Sequence, residues 1–140
     1  MDDFMKIELK INEKLYFISA LLTFLVMGMF ALEFFTRGEF PEVKLRTFYI
    51  FVLLIYAIHK EFLRWLGEKE VERKGEFFVY FWIAFTVLFY IVDFFTKNNF
   101  TISQPSILNE ITLTSLEVLA IFILSRISKI VQVGGIKKFK

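Results

Sequence analysis

The chain has 140 residues, 56% hydrophobic and 19% aromatic with 20 Phe, a net charge of +2 and a mean hydropathy of +0.58. A domain this small has too little interior to bury so many apolar side chains. The charged residues, 23% of the total, must therefore be segregated from the apolar ones, which excludes a disordered chain, a disulfide scaffold and a nucleic-acid module and points to a polytopic helical membrane protein.

The counts exclude specific chemistries as well. Without Cys there is no disulfide, thiolate metal site or Cys nucleophile, and the single His, His59, leaves no His-rich metal site. The six Gly form neither GxGxxG nor GxxxxGK, so no phosphate-cradling loop is expected. The composition thus predicts no cofactor, no metal, no nucleic-acid partner and no enzymatic activity.

In chain order, the first apolar run is Leu15 to Phe35, interrupted only by Glu33. It follows an acidic Met1-Asp2-Asp3 opening, exceeds a signal h-region in length and lacks an A-x-A cleavage site, so it is expected to be a retained span of about 15–36. The second span, about 45–66, is cleanly apolar only from Phe48 to Ile58 and ends in the amphipathic stretch His59 to Leu66. The third, about 77–96, carries only Asp93. The fourth, about 111–131, carries Glu117, Arg126 and Lys129. Lys and Arg near helix ends can snorkel to the headgroups, so all four segments are expected to cross. The Gly67 to Glu76 connection alternates in charge and suits a solvated loop.

Four crossings put 13 Lys and Arg on the side of both termini and four, Arg37, Lys44, Arg46 and Lys97, on the other. By the positive-inside rule both termini are cytoplasmic. Tyr16 and Trp65 then fall at the inner boundary and Tyr49 at the outer one. No GxxxG occurs, so helix contacts are expected from bulky Phe and Leu packing.

The decapeptide Ala31–Phe40 matches Ile91–Phe100. Phe34/Phe94, Phe35/Phe95, Thr36/Thr96 and Phe40/Phe100 are identical, and Glu33/Asp93 and Arg37/Lys97 keep their charge. With six extra residues in the second outer loop, Val52-Leu53 pairs with Val118-Leu119 and Lys60 with Arg126. The expected architecture is all-α, a four-helix transmembrane bundle built from two tandem helical hairpins, about 14–66 and 74–132. This is a parallel repeat with a pseudo-two-fold along the membrane normal.

The candidate functional residues are the polar groups within or bordering the spans. Glu33 with Arg37, and Asp93 with Lys97, have i,i+4 spacing and would form interfacial ion pairs or a duplicated acidic mouth. Glu117 lies about 9 Å inside the outer end of the fourth span, where a carboxylate is costly and needs a partner; Tyr90 and Thr114 are the expected ones. His59, Lys60, Glu61 and Arg64 could join Arg126 and Lys129 in a headgroup or phosphate site. Asn99-Phe100-Thr101 is a glycosylation triplet near the outer boundary.

The third span, with Phe78-Val79-Tyr80, Ile83, Val87 and Ile91-Val92-Asp93, resembles that of the phosphate-starvation-inducible E (PsiE-like) membrane proteins. The resemblance implies four spans with both ends inside, and brings no defined reaction. That family's pattern has a basic residue where this chain has Leu88, so its polar position is not carried over. The expected role is a non-enzymatic accessory, regulatory or assembly component of the cell membrane. It would contact lipid and either further copies of itself or other membrane proteins. The alternative is an oligomeric channel or transport subunit with Glu117, Glu33 and Asp93 along the path.

Overall fold

A computed structural model of the chain describes residues 2–39, 43–67 and 76–138. Among them are four helices: α1 (Asp2–Phe35), α2 (Leu45–Trp65), α3 (Glu76–Phe95) and α4 (Ile107–Lys138). Phe40, most of the charged α2–α3 connection with Lys69, Arg73 and Lys74, and Lys140 lie outside the described residues.

Helix α1 begins well before its apolar run, because Asp2 to Lys14 contains no Gly or Pro to stop it. At 1.5 Å per residue, its 34 residues extend about 50 Å. Helix α4, with 32 residues, starts just after Pro105 and runs on past Val131 through Gly134 and Gly135. Three helices, α1, α3 and α4, are long and apolar enough to cross a membrane. Helix α2 is long enough, at 21 residues, but Arg46, His59, Lys60, Glu61 and Arg64 make it too polar to qualify alone.

Both hairpins are antiparallel, and they run in the same direction. Ring contacts Tyr16–Phe78, Phe30–Trp82 and Phe34–Phe89 climb together along α1 and α3, with centroids 5.5, 6.3 and 4.8 Å apart. These wide aromatic contacts between helices follow from the scarcity of small residues. Helices α2 and α4 are also parallel and meet through polar side chains from Arg46–Glu117 to Trp65–Ser128. Helix α1 meets α3 through these rings, while α2 and α4 pack more closely together. The ends carrying the two hairpin turns are called here the hairpin end, and the opposite ends the terminal end.

The core is largely apolar, but the exterior is unlike that of a water-soluble bundle. Among the described residues, 36 large apolar side chains are exposed, while Asn12, Ser19, Thr23, Glu33, Lys60, Arg64, Asp93 and Thr114 are buried. Helix α2 shows this at helical spacing. Tyr49, Leu53, Tyr56, Lys60 and Arg64 point inward, and Phe48, Phe51, Ile55, Ile58 and Phe62 point outward.

The most deeply buried polar contact links three helices. Trp82 Nε1 of α3 donates to the Tyr49 hydroxyl of α2 at 2.8 Å. That hydroxyl lies 2.8 Å from Thr23 Oγ1 of α1, which donates to the Ser19 carbonyl at 2.7 Å. A carbonyl only accepts, so the Thr23 proton is spent on Ser19 and Tyr49 must donate to Thr23. The chain therefore runs in one direction, from indole to phenol to hydroxyl to carbonyl. Tyr49, expected at the outer boundary, is instead fully buried because its hydroxyl finds both a donor and an acceptor inside.

Tyr49→Phe leaves the Trp82 N–H and the Thr23 oxygen without their partner in the interior. It is expected to lower unfolding stability in detergent by about 1–2 kcal/mol. The effect of Thr23→Val should be clearly non-additive with it, because both changes cut the same chain. Thermal or SDS titration of the two single variants and the double variant measures both quantities.

Candidate functional site

At the hairpin end, α1 and α3 stop in the same way. The Gly38 N–H donates to the Glu33 carbonyl at 3.1 Å and the Arg37 N–H to that of Phe34 at 3.3 Å. The second hairpin repeats this bond for bond, with Asn98 to Asp93 at 2.9 Å and Lys97 to Phe94 at 3.2 Å. This is the six-to-one and five-to-two pattern of a Schellman cap. It puts Arg37 and Lys97 in the left-handed region, at φ +57° and +56°. Gly38 is also left-handed, at φ +85°, a conformation that favours glycine, and a Cβ there would lie 2.6 Å from Gln104 Oε1 and displace that side chain.

The helices end at Phe35 and Phe95, so the i,i+4 geometry expected for Glu33–Arg37 and Asp93–Lys97 is not reached. The acids turn inward instead. Glu33 is 1% exposed and receives a 2.6 Å hydrogen bond from Gln104 Nε2. Asp93 is 9% exposed and receives one of 2.8 Å from Thr101 Oγ1. The α3–α4 turn supplies both donors, so it clamps the ends of α1 and α3 together. Ser103 Oγ adds a bond to the Arg37 carbonyl, and the Arg37 guanidinium stands over the Phe100 ring. Buried and hydrogen-bonded, the two acids do not form an open mouth. Thr101, the hydroxyl residue of the glycosylation triplet, is likewise buried against Asp93.

Glu117 has a different partner from those expected. Arg46, on the first turn of α2, reaches across to α4. Its Nη2 lies 2.6 Å from Glu117 Oε1, and its Nε donates to Thr114 Oγ1 at 2.6 Å. Thr114 passes its own proton to the Glu110 carbonyl. Tyr90 is 2.7 Å from Thr112 Oγ1 instead. The ion pair is partly exposed, with 23% and 42% of the two side chains open. The sequence alone places Arg46 only among the outer-side charges. Its position early on α2 and the i,i+3 spacing of Thr114 and Glu117 on one face of α4 are the sequence signals that could have joined them.

The polar stretch at the terminal end of α2 does not gather into one site. His59 turns to α1, with Nε2 at 2.7 Å from Glu8 and Nδ1 at 3.4 Å from Asn12. Glu61 and Arg64 turn to α4. Arg64 Nη1 is 2.8 Å from Glu61 Oε1 and also donates to the Ser125 carbonyl, while Ser125 Oγ donates to Glu61. Gln132 caps the Arg64 carbonyl. Lys60 is buried with its Nζ 5.8 Å from the Phe122 ring. Arg126 faces α3, 3.6 Å from Glu76, on an exposed surface. The expected cluster with Arg126 is thus divided among three helix contacts, because residues one and three apart on α2 face different neighbours.

Among the described residues no three His, Asp or Glu side chains converge to hold a metal ion. Comparison of the chain with protein-family models, with curated proteins and with solved structures finds no match.

The Arg46–Glu117 pair can be tested by removing its ends singly and together. Arg46→Met or Glu117→Leu alone strands a charge on an apolar face and is expected to cost about 1–3 kcal/mol. The double variant should lose less than either single one, since the stranded charge is gone. Unfolding of the three variants in the same detergent checks the order.

Proposed function

We propose that this protein is a multi-pass membrane protein with four crossing helices and cytoplasmic termini. It acts without enzymatic chemistry, as an accessory or assembly component working through helix contacts. The observation that carries this reading is where the polar groups go. Glu33, Asp93, Glu117, Glu61 and Tyr49 are spent on side chains of neighbouring helices or turns, while the outward surface is a broad apolar belt. Such a surface is not tolerated in water on a monomer of this size. In lipid it is the ordinary exterior, and internal hydrogen bonds replace those water would supply.

Helix α2 is the weak member by composition. It is flanked by α1 and α4 along its length, and its charges find partners there, so crossing exposes few of them to lipid. The 13 to 4 distribution of basic residues supports the terminal end as the cytoplasmic one. Four spans with both ends inside is also the plan of the PsiE-like proteins that α3 resembles. The packed aromatic seam between α1 and α3 leaves one chain little room for an aqueous path. The surface left over suits other membrane proteins or further copies.

Purification in mild detergent, with mass determination and identification of co-purifying chains, tests the role. The expected result is a defined complex with another membrane protein or with itself. Proteoliposomes of the purified chain should pass no more ion flux than empty vesicles. Flux that Glu117→Gln abolishes would establish the channel reading instead.

A further inference from the structure

Helix α1 is longer than a bilayer needs. A hydrocarbon core of about 30 Å takes about 20 residues, which reaches back from Phe35 to Leu15. The helix runs on at the terminal end for about three and a half turns more, to Asp2. One line of side chains is exposed over this whole length. From Phe4, in alternating steps of three and four, every position as far as Phe35 faces outward, and all but Lys14 and Gly28 are large and apolar. Such steps keep to one line under a neighbouring helix that crosses with a left-handed twist. Hydrocarbon covers the part of the line inside the span as well as a protein would. It does not reach Phe4, Ile7 and Ile11, which stand roughly 6 to 17 Å beyond the core and are 53%, 57% and 40% exposed.

Gly28 is a second, independent feature of the same line. It sits in mid-helix, where glycine is unfavourable relative to alanine. A Cβ there would meet nothing within 4 Å, so no contact inside the chain calls for a glycine. A second backbone pressed against this line does call for one, because small residues set how closely helices approach in lipid.

We propose that the protein is a parallel homodimer in which α1 packs along this line against α1 of a second copy, with Gly28 at a point of close approach. A second copy fits the line without any choice of register. Two chains inserted the same way hold each residue at the same depth, so the lines meet layer by layer about a two-fold along the membrane normal. Phe4, Ile7 and Ile11 then form a short coiled coil beyond the lipid. Side chains half-exposed over such a length offer on the order of 700 Å² from each copy, close to the roughly 800 Å² a side of a specific complex. Ile11 and Ile18 at one class of seam position, with Leu21 at the other, is a combination that favours two strands. Lys14 falls at the lipid boundary, where its amine snorkels to the headgroups and leaves the seam. The proposal rests on the transmembrane reading and names the partner for the surface left over there.

The chain contains no cysteine, so single cysteines report contacts without background. In membranes carrying the full chain, Ile7→Cys, Leu21→Cys and Leu25→Cys should give disulfide-linked dimers on mild oxidation. Phe51→Cys on α2 and Tyr80→Cys on α3, comparably exposed, should not. Gly28→Leu places its side chain in open space on the single chain and should leave the melting temperature in excess detergent unchanged. In proteoliposomes, energy transfer between labelled copies on dilution with lipid should show its dimer dissociation constant raised by about tenfold or more.

Linkage at Phe51 or Tyr80 equal to that at Leu21 overturns the proposal, as does a dissociation constant unmoved by Gly28→Leu. A chain that stays monomeric in the bilayer, or a different protein covering this line in a purified complex, also overturns it. So does linkage at Leu21 without linkage at Ile7, which leaves the extension unpartnered. A carbonate wash of the source membranes separates the two levels. Release of the chain would remove the membrane reading and the dimer together, whereas a chain that stays bound but links nowhere along α1 loses the dimer alone.

Discussion

A polar group surrounded by hydrocarbon has to find its partner within the protein, and on the proposed membrane reading the arrangement of this bundle meets that requirement. The hydrogen-bond chain from Trp82 through Tyr49 and Thr23 to Ser19 is its clearest expression. Each proton in it has one destination. It ties α3, α2 and α1 together at a level where none of the side chains reaches the surface. Apolar packing alone distinguishes poorly between a helix neighbour and a lipid tail, so directional bonds of this kind decide which helix sits beside which.

The same requirement explains the division of labour between the two interfaces. The α1–α3 seam is aromatic, and edge-to-face ring contacts such as Phe30–Trp82 fill a wide separation. The α2–α4 seam is polar, with Arg46–Glu117 near one end and Arg64–Glu61–Ser125 near the other. Helix α2, too charged to qualify as a span by itself, directs those charges at helices that answer them. At the hairpin end one turn serves both hairpins, since Gln104 and Thr101 hold Glu33 and Asp93. The duplicated caps place the two acids at equivalent points, and the second turn supplies donors to both.

Much of this was legible in the residues. The four helices follow from apolar runs and their charged interruptions, and the matched decapeptides anticipate the matched caps. Glu117 stood out because a carboxylate among Leu113, Ala120 and Ile121 needs an explanation. What could not be read was the identity of neighbours. Helical period tells which residues share a face, as with Thr114 and Glu117, but not which helix that face meets. The sequence therefore places Arg46 only among the outer-side charges and Tyr49 at the boundary. Nor does the repeat say that aromatic bulk on α1 and α3 would meet, or that polar groups on α2 would meet those on α4. Helix limits were underestimated at the terminal end, because the apolar run marks what could be buried in lipid and not where hydrogen bonding stops.

The central claim is that the outward faces of these helices meet hydrocarbon while their polar groups turn inward to partners, and α2 is where it is most exposed to contradiction. Nitroxide labels placed singly from Phe48 to Leu63 in the lipid-reconstituted chain measure this through collisions with oxygen and with a water-soluble nickel chelate. The account predicts oxygen collision maxima at Phe51, Ile55, Ile58 and Phe62 with little access for the chelate, and minima for both reagents at Leu53, Tyr56 and Lys60. Chelate access at Phe51, Ile55 and Ile58 equal to that of a label in water would contradict it.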